Sequence, residues 1–174
     1  MNTAAAPVQS PRPESGPRAA LGLVGFLVAC FAAAGIGGVL TGQGTGPWYD
    51  SLAKPRWTPP SALFGPVWTA LYAAMAVAAW LVWRRAGWSA GGRVPLVLFA
   101  VQLALNVAWS GLFFGLKRPD LAAFEIAILW VAILATLIAF FRVSRPAGWL
   151  MVPYLLWVTF ASALNLAIWQ LNAS

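Results

Sequence analysis

The sequence has no histidine, a single cysteine and few charges, with 11 Lys and Arg, 4 Asp and Glu, and a charged fraction of 9%. Without histidine there is no His-based triad, no imidazole general base and no His-ligated zinc or haem. Cys30 alone can close no intrachain disulfide and build no thiolate cluster. So few charges cannot coat a soluble globule, whose charged fraction is about 25%. Apolar residues make up 61%, against about 45–50% in soluble proteins. The solvent of this chain is lipid. Its net charge of +7 does not point to nucleic acid, because the basic residues fall in ones, twos and threes between apolar runs, as loop charges of membrane proteins do.

What is present is a series of five uncharged or nearly uncharged stretches. They predict spans at about 20–40, 61–83, 94–116, 121–141 and 147–170, each near the 20 residues a bilayer requires. Backbone amides in hydrocarbon need internal partners, so the spans are helices, and the alternation of a membrane β-barrel is absent. A secretory signal would have an apolar core of about 7–15 residues, and the first stretch is longer, so it is read as a retained helix. Residues 1–18, rich in Ala, Pro, Ser and Gly, read as a disordered tail. The fold expected over 19–174 is all-α, one bundle of five transmembrane helices in a multi-pass integral membrane protein. Seven Lys and Arg lie in the N-terminal tail and the second and fourth loops, against four elsewhere, which favours a cytoplasmic N-terminus. Asp120, directly after Pro119, is expected to cap the fourth helix.

The first loop carries Trp48, Tyr49, Pro55, Trp57, Pro59 and Pro60. Three prolines fix φ and remove donors, so this segment is expected to stay out of helix and sheet while remaining stiff. It suits a lid over the mouth of a bundle, and its aromatics also suit an interfacial belt. Within the spans, Trp68 and Tyr72 lie one turn apart on a common face. Gln102, Asn106 and Trp109 form a stripe of two amides and an indole, and Trp157, Ala161 and Asn165 form another. Amides at membrane depth should face the interior, either toward a ligand or as bonds between helices. Pro153 is expected to bend the last helix. In the third span Ala100, Ala104, Ala108 and Gly111 repeat small residues on the face opposite Asn106, the spacing of a helix–helix contact. They are the expected homodimer interface, with Gly38 and Gly42 offering a rival in the first span.

These residues in this order resemble the TspO/translocator family, also called tryptophan-rich sensory proteins or peripheral benzodiazepine receptors. The resemblance runs through Trp48-Tyr49, Lys54-Pro55-x-Trp57-x-Pro59-Pro60, Phe64-Gly65-Pro66-Val67-Trp68-x-x-Leu71-Tyr72, Asn106-x-x-Trp109-Ser110-x-x-Phe113-Phe114, Pro153-Tyr154-Leu155-Leu156-Trp157-x-x-Phe160-Ala161 and Leu164-Asn165. It implies a five-helix membrane protein, usually dimeric. Such proteins bind porphyrins (protoporphyrin IX and haem-pathway tetrapyrroles), sterols and synthetic aromatic ligands under the first loop. It also implies a regulatory or stress-sensing role in a bacterial cell membrane, or light-dependent porphyrin breakdown. The ligand positions it implies are Trp48, Tyr49, Trp68, Tyr72, Asn106, Trp109, Trp157 and Ala161. The animal sterol motif is missing, since no basic residue follows Arg145.

A membrane receptor or binding protein for tetrapyrroles is therefore expected, with porphyrin as ligand, no obligatory cofactor and no metal. No acid–base pair or activated nucleophile supports dark catalysis. A small tetrapyrrole or sterol transporter is the third reading, and the chain shows neither inverted repeats nor several buried ionisable groups. Trp80, Trp83, Trp88, Trp149 and Trp169 are assigned to interfacial belts, Trp130 to a lipid-facing or packed position, and Cys30 to packing. Glu125 sits at membrane depth, where an acid is a functional candidate; the dipole of its own helix and nearby Lys117 and Arg118 offer a plainer role, which we prefer.

Overall fold

The computed structural model of the chain describes residues 16–173. Its helices are α1 (Pro17–Gly44), α2 (Pro47–Ser51), α3 (Phe64–Ala86), α4 (Ala90–Ser110), α5 (Pro119–Val143) and α6 (Arg145–Leu171), with a 3₁₀ turn at Ser61–Leu63 before α3 and a π-helical turn at Gly111–Gly115 after α4. There is no strand among the described residues. The shortest of the five long helical segments has 25 residues, about 37 Å at the helical rise, enough for a hydrocarbon core of about 30 Å. The protein is a multi-pass all-α membrane protein. Most of the expected tail lies outside the described residues, and its last two positions, Pro17 and Arg18, already belong to α1.

Proline opens helices here rather than breaking them. α1, α2, α5 and α6 all carry one in their first two positions, where the missing N–H has no intrahelical partner anyway. This corrects the expectation for the first loop, since Pro47 starts the single turn α2 where no helix was anticipated. Inside α6, Pro153 does not interrupt the helix. Asp120 is also not a cap. It is the second residue of α5 behind Arg118, and its carboxylate accepts from Nε and an Nη of Arg118 at 2.8 and 2.6 Å.

The long helices close into a ring: α1 packs on α3, α3 on α6, α6 on α5, α5 on α4, and α4 back on α1. α3 also reaches α4 and α5 and contributes the most central residues, Met75, Ala76, Ala78, Ala79 and Val82, all fully buried. Small side chains let its neighbours approach, and close packing supplies association energy between helices in lipid. Trp80 and Trp83, assigned to a belt, instead anchor the start of α1. The Trp80 indole donates to the Ala19 carbonyl at 2.8 Å, and the Trp83 ring fills the space over Gly22. Trp88 and Trp149 are mostly exposed, as a belt requires, and Trp169 leans on Phe124. Trp130 ties α5 to α6 through the Thr159 hydroxyl at 2.8 Å.

The end of α4 departs from a regular helix. Leu116 N–H bonds the Gly111 carbonyl, the Arg118 N–H reaches the Leu112 carbonyl, and Lys117 takes a left-handed φ of 56°, so the helix ends wider than an α-helix does. The wider turn buries Phe113 and lays this segment against α1. A Cβ on Gly44 would fall 2.7 Å from the Phe114 Cα and closer still to its carbonyl oxygen, so only glycine fits there. The widening also changes the row of small residues. Ala100, Ala104 and Ala108 stay on the exposed outer face of α4, while Gly111 faces Leu40 of α1 rather than continuing that row outward.

Candidate functional site

Between α1, α3, α4 and α6, under the first loop, lies a cavity of about 600 Å³, within the range of small-molecule sites, about 300–1,000 Å³. Tyr49, Trp68, Tyr72, Asn106, Trp109, Trp157 and Ala161 all contribute to its wall. These are seven of the eight positions expected from the sequence, drawn from the loop and three helices. Trp48 does not line it; its ring packs edge-on against Phe113 at 6.0 Å. Of the loop residues expected to form a lid, Pro59 reaches the wall. Trp57 packs edge-on against Phe160 at 5.7 Å, the Pro55 carbonyl closes a turn with Thr58, and Pro60 precedes the turn into α3.

The rings form a continuous surface. Trp68 lies 5.6 Å from Tyr72 and 6.5 Å from Trp157, and Trp157 lies 5.8 Å from Phe64. Another wall comes from α1, where Ala34, Gly37, Gly38 and Thr41 turn a small-residue face inward after Phe31, and Thr45 continues it just past the helix end. That face was missed in the sequence, although its spacings of three and four residues were visible there. Of its glycines, Gly38 reads with Gly42 as a helix–helix contact instead.

The polar stripe serves the scaffold. The Tyr72 hydroxyl donates to Asn106 Oδ1, and Asn106 Nδ2 donates to the Tyr154 hydroxyl at 3.0 Å, joining α3, α4 and α6. The Trp109 indole donates to Asn165 Oδ1 at 2.9 Å, and Asn165 Nδ2 donates to the Pro119 carbonyl at 2.8 Å, joining α4, α6 and α5. Asn106 and Trp109 therefore do both things the sequence left open: they wall the cavity and bond helices together. Gln102 and Glu125 differ. Both are buried, and neither side chain has a hydrogen-bond partner among the described residues. Of the two cations expected near Glu125, Arg118 pairs with Asp120 instead.

The loop is fastened at its far end. The Asn172 side chain, just past α6, accepts from the Ala53 N–H and donates to the Ala53 carbonyl, both at 3.0 Å. An amide paired this way imitates a neighbouring strand. At the mouth, Lys54 lies over the Tyr49 ring, 4.4 Å from its centroid. Burial, and secondarily Asp50, push the Tyr49 phenol above its ordinary pKa, so the ring under the ammonium is neutral.

The TspO/MBR family profile matches residues 26–170. The chain belongs to this family. Among its relatives it is 46% identical over 144 residues to the tryptophan-rich protein TspO of Chlorobaculum tepidum, covering 82% of this chain and 90% of the relative. It is 39% identical to the protein CrtK of Rhodobacter capsulatus over 84% of this chain and 90% of that one. Similarity extends to the human translocator protein, 41% identical over 72% of this chain and 75% of the relative. The matched region takes in the cavity walls from Phe31 to Ala161, so the cavity lies wholly within the TspO-family part of the chain.

Proposed function

We propose that this TspO-family chain is a membrane receptor for porphyrins, protoporphyrin IX and related haem-pathway tetrapyrroles, with a regulatory or stress-sensing role. The observation that carries the proposal is the shape and chemistry of the cavity. A flat, largely apolar macrocycle needs a slot with aromatic faces, and Trp68, Trp157, Tyr72 and Phe64 supply adjoining ones. The small face of α1 leaves the width for it. Replacing both Trp68 and Trp157 by Leu removes two walls and no hydrogen bond of the Asn106 and Asn165 networks, although the Trp68 ring packs on Tyr72 and Tyr154. Tryptophan quenching by protoporphyrin IX should then weaken by about tenfold or more, on the scale of about 0.5–1.5 kcal/mol per aromatic pair beyond area burial, with the helical spectrum intact. An unchanged affinity in the double variant would place the ligand elsewhere.

A second reading, light-dependent breakdown of the bound porphyrin, is favoured by the same clustering, because oxidisable rings adjoin the slot. Loss of porphyrin absorbance under illumination but not in the dark, dependent on Trp68 and Trp157, would support it. We also propose a homodimer through the outer face of α4, where Ala100, Ala104 and Ala108 are exposed in one row.

A further inference from the structure

Among the described residues, Asp50 and Lys54 are the only charged ones in the wall, and both stand at its mouth, so the charge preference of the site has to come from the rim. Tyr72, Asn106 and Trp109 each give a donor to another helix, and Thr69, Thr45 and Thr58 give their hydroxyl protons to backbone carbonyls. Lys54 is the one basic side chain in the wall. It is partly buried. One ammonium proton goes to the Leu52 carbonyl at 3.3 Å, and the cation rests on the Tyr49 ring. It forms no ion pair, since the ion pair among the described residues joins Arg118 to Asp120. An ammonium has three donors, so Lys54 keeps two for a ligand.

We propose that Lys54 selects ligands carrying a carboxylate, holding the acid edge of a flat apolar anion at the mouth while its body lies between the tryptophans. This rests on the porphyrin-binding reading and adds the orientation and charge class of the ligand. Asp50 stands on the same rim and would repel an acid, but it is exposed to water, where salt and solvent screen it. Lys54, held between a ring and a carbonyl, is screened less. The ring also fixes its position, so little side-chain freedom is lost when the carboxylate arrives.

The test compares protoporphyrin IX with its dimethyl ester, which has the same macrocycle and no acid. Both are titrated by tryptophan quenching into the whole chain in detergent, at low and high salt. The wild type should bind the diacid about tenfold more tightly than the diester, the scale of a charge-assisted hydrogen bond partly screened by solvent. Salt should narrow that gap. Lys54→Met should lower diacid affinity to the diester level and leave the diester unchanged, and Lys54→Arg should keep the preference. Equal binding of the two ligands by the wild type would overturn the role of Lys54 while leaving the pocket in place. Equal weakening of both by Lys54→Met would also overturn it, because the lysine would then order the loop rather than read charge. If the wild type binds neither ligand, the porphyrin reading itself fails.

Discussion

Asn172→Ala removes the clasp that holds the first loop down, and its effect follows from two exposed hydrogen bonds. The side chain pairs both polar groups of the Ala53 backbone at 3.0 Å, and it also donates to Ile168 within its own helix. An intramolecular hydrogen bond contributes about 0.5–1.5 kcal/mol net, and solvent access puts each of these at the low end. Two of them give about 1 kcal/mol, about a fivefold shift toward the open loop at about 1.4 kcal/mol per decade. If the loop gates the cavity, ligand enters and leaves through the open form, so both rates should rise about fivefold. The clasp touches the loop and not the cavity wall, so it contributes equally with and without ligand. A perturbation without differential interaction shifts no binding equilibrium, and Kd should stay within about a factor of two. Stopped-flow quenching by protoporphyrin IX measures both rates. Hydrogen exchange at the Ala53 amide, expected about fivefold faster, measures the opening without any ligand. Faster exchange with unmoved binding rates would refute the loop as a gate, and unmoved exchange would refute the clasp.

Two further outcomes follow from the packing. Gly44→Ala should destabilise the fold by about 1–3 kcal/mol, the range for overpacking, since its Cβ meets the Phe114 backbone. Gly42→Ala, two residues earlier with nothing within 4 Å of the added carbon, should be neutral, so equal thermal shifts for both in detergent would refute the close contact. Ala104→Leu with Ala108→Leu should give a monomer by light scattering that still binds porphyrin, because both lie on the exposed face away from Asn106; a variant that remains dimeric removes this face as the interface.

The spans were legible because charge is excluded from hydrocarbon, so their limits follow the positions of Arg84, Arg93, Lys117, Arg142 and Arg145. The cavity walls were legible because Trp68 and Tyr72, or Asn106 and Trp109, keep helical spacing. The failures have equally local causes. The π-helical turn was not visible because Gly111 and Gly115 have the spacing of a regular helix, and only their approach to Leu40 and the bond from Leu116 to Gly111 reveal the wider winding. The turn α2 was excluded by counting prolines without asking whether one stood at a first helical position. No sequence pattern marks Asn172, since its partner Ala53 is 119 residues away and carries no side-chain signal at all.

The two kinds of polar residue in this bundle call for different experiments. Asn106 and Asn165 each join three helices, so replacing either would leave buried partners unsatisfied, at about 1–3 kcal/mol for each orphaned group. Lost porphyrin binding in an Asn106 variant would therefore say nothing about contact with the ligand, because a loosened junction between α3, α4 and α6 also deforms the slot. Trp68 and Trp157 wall the same space and make none of the junction hydrogen bonds, while the Trp68 ring packs on Tyr72 and Tyr154, both members of the Asn106 junction, and Trp157 packs on Trp68 and Phe160. Lys54 stands at the rim, its one bond to the loop backbone. Substitutions at Trp157 and Lys54 leave the junctions of the scaffold in place, whereas Trp68→Leu removes no junction bond but takes packing away from Tyr72 and Tyr154. Altered ligand preference at Trp157 or Lys54 can be assigned to recognition, because the bonds that hold α3, α4, α5 and α6 in register neither pass through these side chains nor rest on them.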